Sequence, residues 1–363
     1  MTFRPEPAFV HGQAPRTALL LVNLGTPDKA DAPSLRRYLA EFLSDPRVVE
    51  IPRLPWWLIL HGIILRTRPA RSAAKYASVW MPEGSPLAVW TARQAHALAD
   101  RLTHRGHRLL VRHAMRYGNP SLPSVLDGLR AEGATRVLVL PLYPQYAAAT
   151  TASVADRVMQ WAGGARHMPE FRFVNDYHDD RGYIAALAER LRDHWAVHGR
   201  AQKLVLSFHG VPQRSLLLGD PYHCQCHKTA RLLAEALDLS PHDFVVTFQS
   251  RFGKAKWLEP YTEATLRQLA AAGTGTVDVM CPGFVADCLE TLEEIAQEAR
   301  HAFLQAGGSR FNYVPCLNDQ PAWIDALASV AEQHLQGWPT QVAPDTTTLQ
   351  RQRERALALG AID

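Results

Sequence analysis

The sequence predicts an α/β protein of two Rossmann-like domains, each a doubly wound parallel sheet of four strands, related by a pseudo-two-fold duplication. Three observations predict it. Short β-rich apolar runs alternate with longer amphipathic stretches, the pattern of strand–helix–strand units. The apolar runs number eight and fall into two sets of four. Landmarks at the ends of these runs recur in the same order in both sets.

The first four runs lie near Ala18–Leu24, Arg108–Met115, Val137–Leu142 and Phe171–Val174. The second four lie near Lys203–Phe208, Phe244–Phe248, Val277–Cys281 and Phe311–Val314. Amphipathic helical patterns cover 86–104, 180–198, 223–237, 259–272 and 284–305. Runs of this length between helical segments suit strands buried on both faces. The expected organisation is a domain over 1–175, a second over 176–336 and an extension over 337–363, the last ending in a short helical pattern.

The repeat is read from three landmarks. Asn23-Leu24-Gly25-Thr26-Pro27 ends the first run as Phe208-His209-Gly210-Val211-Pro212 ends the fifth. Arg116-Tyr117-Gly118 corresponds to Arg251-Phe252-Gly253, and Glu132-Gly133 to Ala272-Gly273. Gly25 and Gly118 are 93 positions apart, whereas Gly210 and Gly253 are 43 apart. The first half therefore carries about 50 extra residues after its first strand. This insertion, near 41–85, contains the apolar run 51–68 with Trp56, Trp57 and flanking arginines. Such a run suits a membrane interface, the mouth of a pocket for a greasy ligand, or a buried helix.

Composition narrows the function. The chain has 363 residues, 47% hydrophobic and 20% charged, which is globular rather than disordered. Lys plus Arg total 39 against 35 for Asp plus Glu, too small an excess for a nucleic-acid partner. Five scattered cysteines argue against a disulfide framework and for a reducing compartment. The N-terminal residues lack the apolar run of a signal peptide, and no segment is apolar enough to span a membrane. A cytoplasmic location is expected.

Ligands of open parallel sheets bind beyond the carboxyl ends of the strands. That rule selects the loops 23–27, 115–120, 142–147, 207–214, 249–257 and 281–290. His209, at a strand end, is a base or a metal ligand near neutral pH. After the seventh run, Asp287, Glu290, Glu294 and Glu298 fall at i, i+3, i+7 and i+11, one stripe of a helix starting near Phe284. A carboxylate row there can hold a hard cation or relay protons.

These motifs resemble those of ferrochelatases. Ser207-Phe208-His209-Gly210-Val211-Pro212 is similar to the family's catalytic-histidine motif. Cys281-Pro282-Gly283-Phe284-Val285-Ala286-Asp287-Cys288-Leu289-Glu290-Thr291-Leu292 is similar to its catalytic-glutamate motif. Asn23-Leu24-Gly25-Thr26-Pro27, Gly84-Ser85-Pro86, Arg116-Tyr117, Tyr143-Pro144-Gln145-Tyr146, Gly219-Asp220-Pro221-Tyr222 and Trp257-Leu258-Glu259-Pro260 follow in family order, over roughly 17–335.

The resemblance implies a chelatase-like fold and insertion of ferrous iron into protoporphyrin IX, the last step of heme biosynthesis. It implies that His209 takes pyrrole protons or ligates the metal, and that Glu290 pairs with it. Asp287 and Glu294 would continue a proton or metal relay. Leu24 would face His209 across the macrocycle, and the repeat gives the same pairing, since Gly25 aligns with Gly210. Tyr76, Ser85, Arg116 and Tyr117 would touch the macrocycle or its carboxylates, Trp257 would line the pocket, and 51–68 would form its lip, placed to touch the inner membrane peripherally. Iron enters as substrate, with no cofactor required.

The sequence also departs from the family. Cys288 stands where a histidine is often found. The iron–sulfur cluster of some members is not expected, since Ala147-Ala148-Ala149 replaces its first cysteine region and the C-terminus has none. In His223-Cys224-Gln225-Cys226-His227 the Cys-x-Cys spacing on a helix sends the thiols to different faces, which opposes a closed metal site. The competing functions are a chelatase for coproporphyrin or cobalt and a non-catalytic metal or heme carrier. The family's coproporphyrin-using relatives carry tyrosine where Leu24 stands and lack the apolar lip.

Overall fold

The computed structural model describes residues 3–253 and 255–362. Eight strands form two parallel sheets of four. The first contains β1 (Arg16–Thr26), β2 (Leu109–Gly118), β3 (Ala134–Pro141) and β4 (Glu170–Phe173) in the order β2-β1-β3-β4. The second contains β5 (Lys203–His209), β6 (Phe244–Gln249), β7 (Thr276–Met280) and β8 (Arg310–Val314) in the order β6-β5-β7-β8. The two orders are the same permutation, so the duplication read from the landmarks is present in the topology.

The strands are apolar because both faces are covered. Ala18 to Val22 of β1 are fully buried, which is why this run shows no polar alternation. Helix starts follow the side-chain caps: Asp31, Ser85, Ser121 and Asp180 each accept a backbone N–H from the first turn, with Pro at the start of three of these helices.

The two sheets share one core. A single apolar cluster contains Leu19 and Leu138 of the first sheet, Leu204 and Leu206 of the second, and Trp323 of the helix Pro321–Leu335. That helix crosses back against the helix Pro86–His104, where Arg101 and Arg105 bind Asp325 at 2.6 and 2.8 Å. The lobes are thus welded along one side and face each other at the carboxyl ends of their strands.

The helix Ala32–Leu43 leads into the insertion, which folds into the helix Arg53–Ile59, a wide π turn over Leu60–Ile64 and the helix Leu65–Ala77. Leu35, Tyr38, Trp56, Leu60, Leu65 and Tyr76 bury against Tyr117 of β2. The two tryptophans part company. Trp56 is buried and donates to the Leu43 carbonyl at 2.6 Å, whereas Trp57 is 56% exposed. Leu54, Leu58 and Ile63 are exposed beside it. Both a buried helix and a greasy surface were open on sequence, and the segment supplies each from a different face.

One helix starts later than its sequence pattern. The stretch 284–288 is loop, and the helix begins at Glu290, running as a π-helix to Ala299 before the α-helical Arg300–Gln305. Asp287 therefore lies off the helical stripe. Its carboxylate is claimed by the β8 loop, as described below.

The repeated glycines explain themselves. Gly25 has φ +115°, and a Cβ there would sit 1.7 Å from the Tyr117 carbonyl oxygen. A Cβ on Gly210 would sit 2.6 Å from the Gln249 carbonyl oxygen. Each glycine lets a central strand end cross its neighbour's backbone. Gly25→Ala is expected to cost at least ~2 kcal/mol of stability, through both clash and φ. Gly128→Ala, on an exposed helix position with open space, should stabilise by roughly 0.5–1 kcal/mol. Urea midpoints at unchanged slope would check both.

Candidate active site

The chemical wall of the cleft grows from the end of β5. His209 is half-buried, and its Nδ1 lies 2.7 Å from the Gly210 carbonyl oxygen. A carbonyl only accepts, so Nδ1 carries the proton and Nε2 offers a lone pair. The His209 carbonyl accepts the Tyr222 hydroxyl at 2.9 Å, and the Gly210 N–H binds the Gln249 carbonyl at 2.7 Å. The imidazole is therefore set by the backbone on both sides.

Gln249 ties this strand end to the π-helix. Its Oε1 accepts from Ser207 at 2.7 Å, and its Nε2 donates to the carbonyl of Glu290 at 2.8 Å. The next residue holds Glu294: Ser250 donates its N–H at 2.7 Å and its hydroxyl at 2.5 Å to the two carboxylate oxygens. Ser250 adopts φ +64°, the left-handed turn that aims both donors at one carboxylate. Burial raises the Glu294 carboxyl above its ordinary range; the Ser250 bonds and, when its ring is protonated, His209 oppose the rise, and Glu290 adds to it. Glu290 and Glu294 stand four apart, a spacing that the wide π turn keeps close to one face.

The opposite wall comes from the first lobe and the insertion. Leu24, at the end of β1, packs half-buried on the cluster holding Tyr38, Tyr76 and Tyr117, and Leu289 joins the same cluster from the second lobe. Burial pushes the Tyr38 and Tyr76 phenols well above their usual range, and the Glu290 carboxylate adds to both. Glu290 thus faces a tyrosine-lined apolar wall. Trp257 lies beside His209's strand end, its backbone bridging Pro212 and its indole against Gly210. The buried Trp257 Nε1–H has no hydrogen-bond partner among the described residues.

Three expected contact residues have internal partners. Ser85 is 2% exposed and caps the helix Pro86–His104. Arg116 donates to Asp45 and to Ser153 Oγ at 2.7 Å. Tyr117 and Ser153 also donate to Asp45 Oδ2, at 2.8 and 2.6 Å. Burial alone would raise the Asp45 carboxyl, but Ser153, the Arg47 N–H, Tyr117 and then the Arg116 charge hold it below its usual range. These side chains build the floor under the tyrosine wall.

Asp287 is also internal. Its Oδ1 accepts from Tyr313 at 2.5 Å, and its Oδ2 accepts from Asn318 at 2.7 Å. Its N–H returns to Asn318 at 2.9 Å. The structure brings His209, Glu290 and Glu294 together and sets Asp287 behind them as an anchor. Glu298 does not continue the line freely. Lys75 of the insertion binds Glu298 at 2.8 Å and Glu293 at 3.0 Å, clasping the lip to the π-helix.

Gln249, Ser250, Tyr38, Asp45 and Lys75 escaped sequence reading. The strand-end rule selects the loop 249–257, which holds Gln249 and Ser250, without singling out either. A further trio, Asp176, His178 and Asp179, has its ligand atoms within 4.8 Å of one another, but Lys228 Nζ already meets Asp179 at 2.5 Å.

A two-lobed α/β scaffold with a histidine and two carboxylates at the strand ends, facing an apolar aromatic wall, defines a chelatase-type protein. The ferrochelatase family profile matches residues 16–335. Ferrochelatases of Methylibium petroleiphilum and of Polaromonas sp. strain JS666 are 68% and 66% identical, each covering 99% of this chain, with 99% and 100% of their own lengths covered. That of Dechloromonas aromatica is 59% identical, with 99% of each chain covered. The chain belongs to the ferrochelatase family. The solved structure of SirB from Bacillus subtilis with Fe3+ superposes with a TM-score of 0.53 at 13% identity, covering 88% of this chain and 95% of that one. At that identity the likeness shows the fold alone.

Asp45→Asn should destabilise by about 3 kcal/mol, because it leaves Arg116 buried without its counter-charge. The Asp45 carboxyl lies below its unfolded value. Its contribution is therefore present above about pH 4 and is lost as the pH falls through the folded value. Urea unfolding of both proteins at neutral and acid pH should show the gap closing on acidification.

Proposed function

We propose that this protein inserts ferrous iron into protoporphyrin IX, forming protoheme, with the macrocycle held between the His209 wall and the tyrosine wall. The observation that carries this reading is His209. Its Nδ1 is fixed on the Gly210 carbonyl, Nε2 has no hydrogen-bond partner among the described residues, and the π-helix beside it is held by Ser250 on the Glu294 carboxylate and by Gln249 on the Glu290 backbone carbonyl. Family membership over nearly the whole chain supports the reaction class.

Metallation requires removal of two pyrrole protons from a ring bent enough to expose its lone pairs. Apolar contact over the rest of the macrocycle supplies binding energy for that bending. In the proposed reaction Leu24, Tyr76 and Tyr117 form one side of the slot, and Trp257 lines it beside His209. His209 Nε2 takes the two pyrrole protons in turn, and Glu290 passes each by way of Glu294, whose carboxyl is raised above its ordinary range, out to solvent. Ser85 and Arg116 act from behind, by setting the helix start and the Asp45 network. Ferrous iron is the substrate, and the reading includes no resident cofactor.

Two features favour protoporphyrin over coproporphyrin. Leu24 is an apolar residue at the slot, and the insertion offers a greasy entry through Leu54, Trp57, Leu58 and Ile63. The same exposed face suits peripheral contact with a membrane surface, where a hydrophobic product would leave. No helix among the described residues is long and apolar enough to cross a membrane.

The test follows Fe(II) or Zn(II) insertion by absorbance. Wild type is expected to metallate protoporphyrin IX faster than coproporphyrin, and His209→Ala to lose ~10²–10⁴ in rate. Glu294→Gln should change the acid limb of the pH–rate profile. Absence of metallation by the wild type, or full rate in His209→Ala, would overturn the reading. A joint Trp57→Ser and Leu58→Ser variant should float less with anionic phospholipid vesicles while metallating soluble porphyrin normally.

A further inference from the structure

The helix Arg181–His198 ends against β7, an interior strand of the second sheet, at the end of the strands away from His209. Its last two turns carry His194 and His198 at i, i+4, with ring centroids 4.5 Å apart. β7 contributes Asp278, which is 1% exposed. Asp278 Oδ2 accepts from Trp195 Nε1 at 2.7 Å and from the Ala201 N–H at 3.0 Å. Oδ1 accepts from Asn312 Nδ2 at 2.7 Å. All three donors are neutral, so a buried carboxylate has no cation within hydrogen-bond range among them.

The group aimed at it is His194. Its side chain is 7% exposed, and its Nε2 lies 3.9 Å from Asp278 Oδ1. That is too long for a hydrogen bond, and Nε2 has no other partner among the described residues. The neighbouring arginines are engaged elsewhere: Arg190 on the Pro315 and Cys316 carbonyls, Arg310 on the His198 carbonyl. A buried ring nitrogen and a buried carboxylate oxygen thus face each other across a gap that neither fills.

We propose that His194, His198 and Asp278 bind a first-row divalent cation of the Zn(II) class, at a site separate from the cleft. Tetrahedral coordination by bonds of about 2.0–2.1 Å places two donors roughly 3.4 Å apart, so the 3.9 Å gap closes by about half an ångström when a cation is held. The three ligand atoms do not lie within 4.8 Å of one another in the structure, so the exposed His198 would have to rotate its side chain inward to supply the third donor. Two imidazoles and one carboxylate form a donor set that such cations accept. The C-terminus of the helix adds favourable negative potential. Asp278 pairs in register with Leu204, five residues before His209, which places the site about 16 Å from the cleft. The other histidine pair, His223 and His227, stacks on Phe248 instead, with Cys226 buried and Cys224 exposed. That pair lacks the buried carboxylate.

A cation here would pin the helix end to β7 and stabilise the second lobe. The test uses the full chain exposed to Zn(II), passed through gel filtration and assayed for bound zinc by elemental analysis. Wild type is expected to retain one more equivalent than His198→Ala or His194→Gln. Its thermal unfolding midpoint should rise with Zn(II) more than theirs, and porphyrin metallation should be unchanged in both variants. Equal zinc content and equal midpoint shifts in wild type and His198→Ala would overturn the proposal and leave His194 and Asp278 as a pair without metal. Should His194→Gln fold poorly, the exposed His198→Ala decides alone.

Discussion

Asp287 sits in the interior with its two oxygens taken by Tyr313, Asn318, the Cys316 N–H and the Thr291 hydroxyl. A buried carboxylate costs several kcal/mol unless its lone pairs are satisfied, so these bonds hold the β7 loop against the β8 loop. The first lobe joins the same node. Gln94, fully buried on the helix Pro86–His104, donates to the carbonyls of Val285 and Asn318 at 2.8 and 2.7 Å. The start of the π-helix is thereby placed relative to both sheets. Glu290 and Glu294 take their positions from it, and His209 meets them through Gln249.

The duplicated strand ends serve different ends of one task. In both lobes a glycine after the central strand passes under its neighbour's carbonyl. In the second lobe the residue before it is His209, fixed by backbone contacts and backed by carboxylates. In the first it is Leu24, backed by tyrosines. Duplication supplies the same backbone corner twice, and side-chain divergence turns one corner polar and the other apolar. A flat conjugated macrocycle whose protons must leave toward one side suits such an asymmetric slot.

The insertion is tied to the second lobe, where the proposed function has it cover the mouth of the slot. Lys75 reaches Glu293 and Glu298, Arg68 lies 4.4 Å over Phe252, and Glu50 pairs with Arg214. Each contact joins the insertion to the second lobe. They are partly exposed, so each is worth little by itself. Their value is geometric: they bring Tyr76 and the lip against the π-helix while leaving Trp57 and its neighbours facing outward.

Much of this was legible in the sequence because period and order survive without coordinates. The eight apolar runs, the glycine landmarks and the extra length after β1 specified two like sheets and one insertion. The motifs around His209 and Glu290 pointed to a candidate site through resemblance, and the repeat pointed to Leu24. The tertiary structure alone decided the rest. An acidic stripe looked like one helical face, yet Asp287 left the helix because Tyr313 and Asn318, close only in space, bind it more fully than a helix turn could. Arg116 and Ser85 were expected as ligand contacts, and the fold shows that they also carry internal partners, Asp45 and a helix start. Gln249, Ser250 and Lys75 carry no motif, since a hydrogen-bond partner 40 or more residues away leaves no local trace. Trp56 and Trp57 are adjacent and chemically alike, and only the packing of the insertion sends one into the core and the other to the surface. Local pattern determined which elements form and where the strand ends lie, and the non-local pairing of polar groups decided which of the residues there remain free for chemistry.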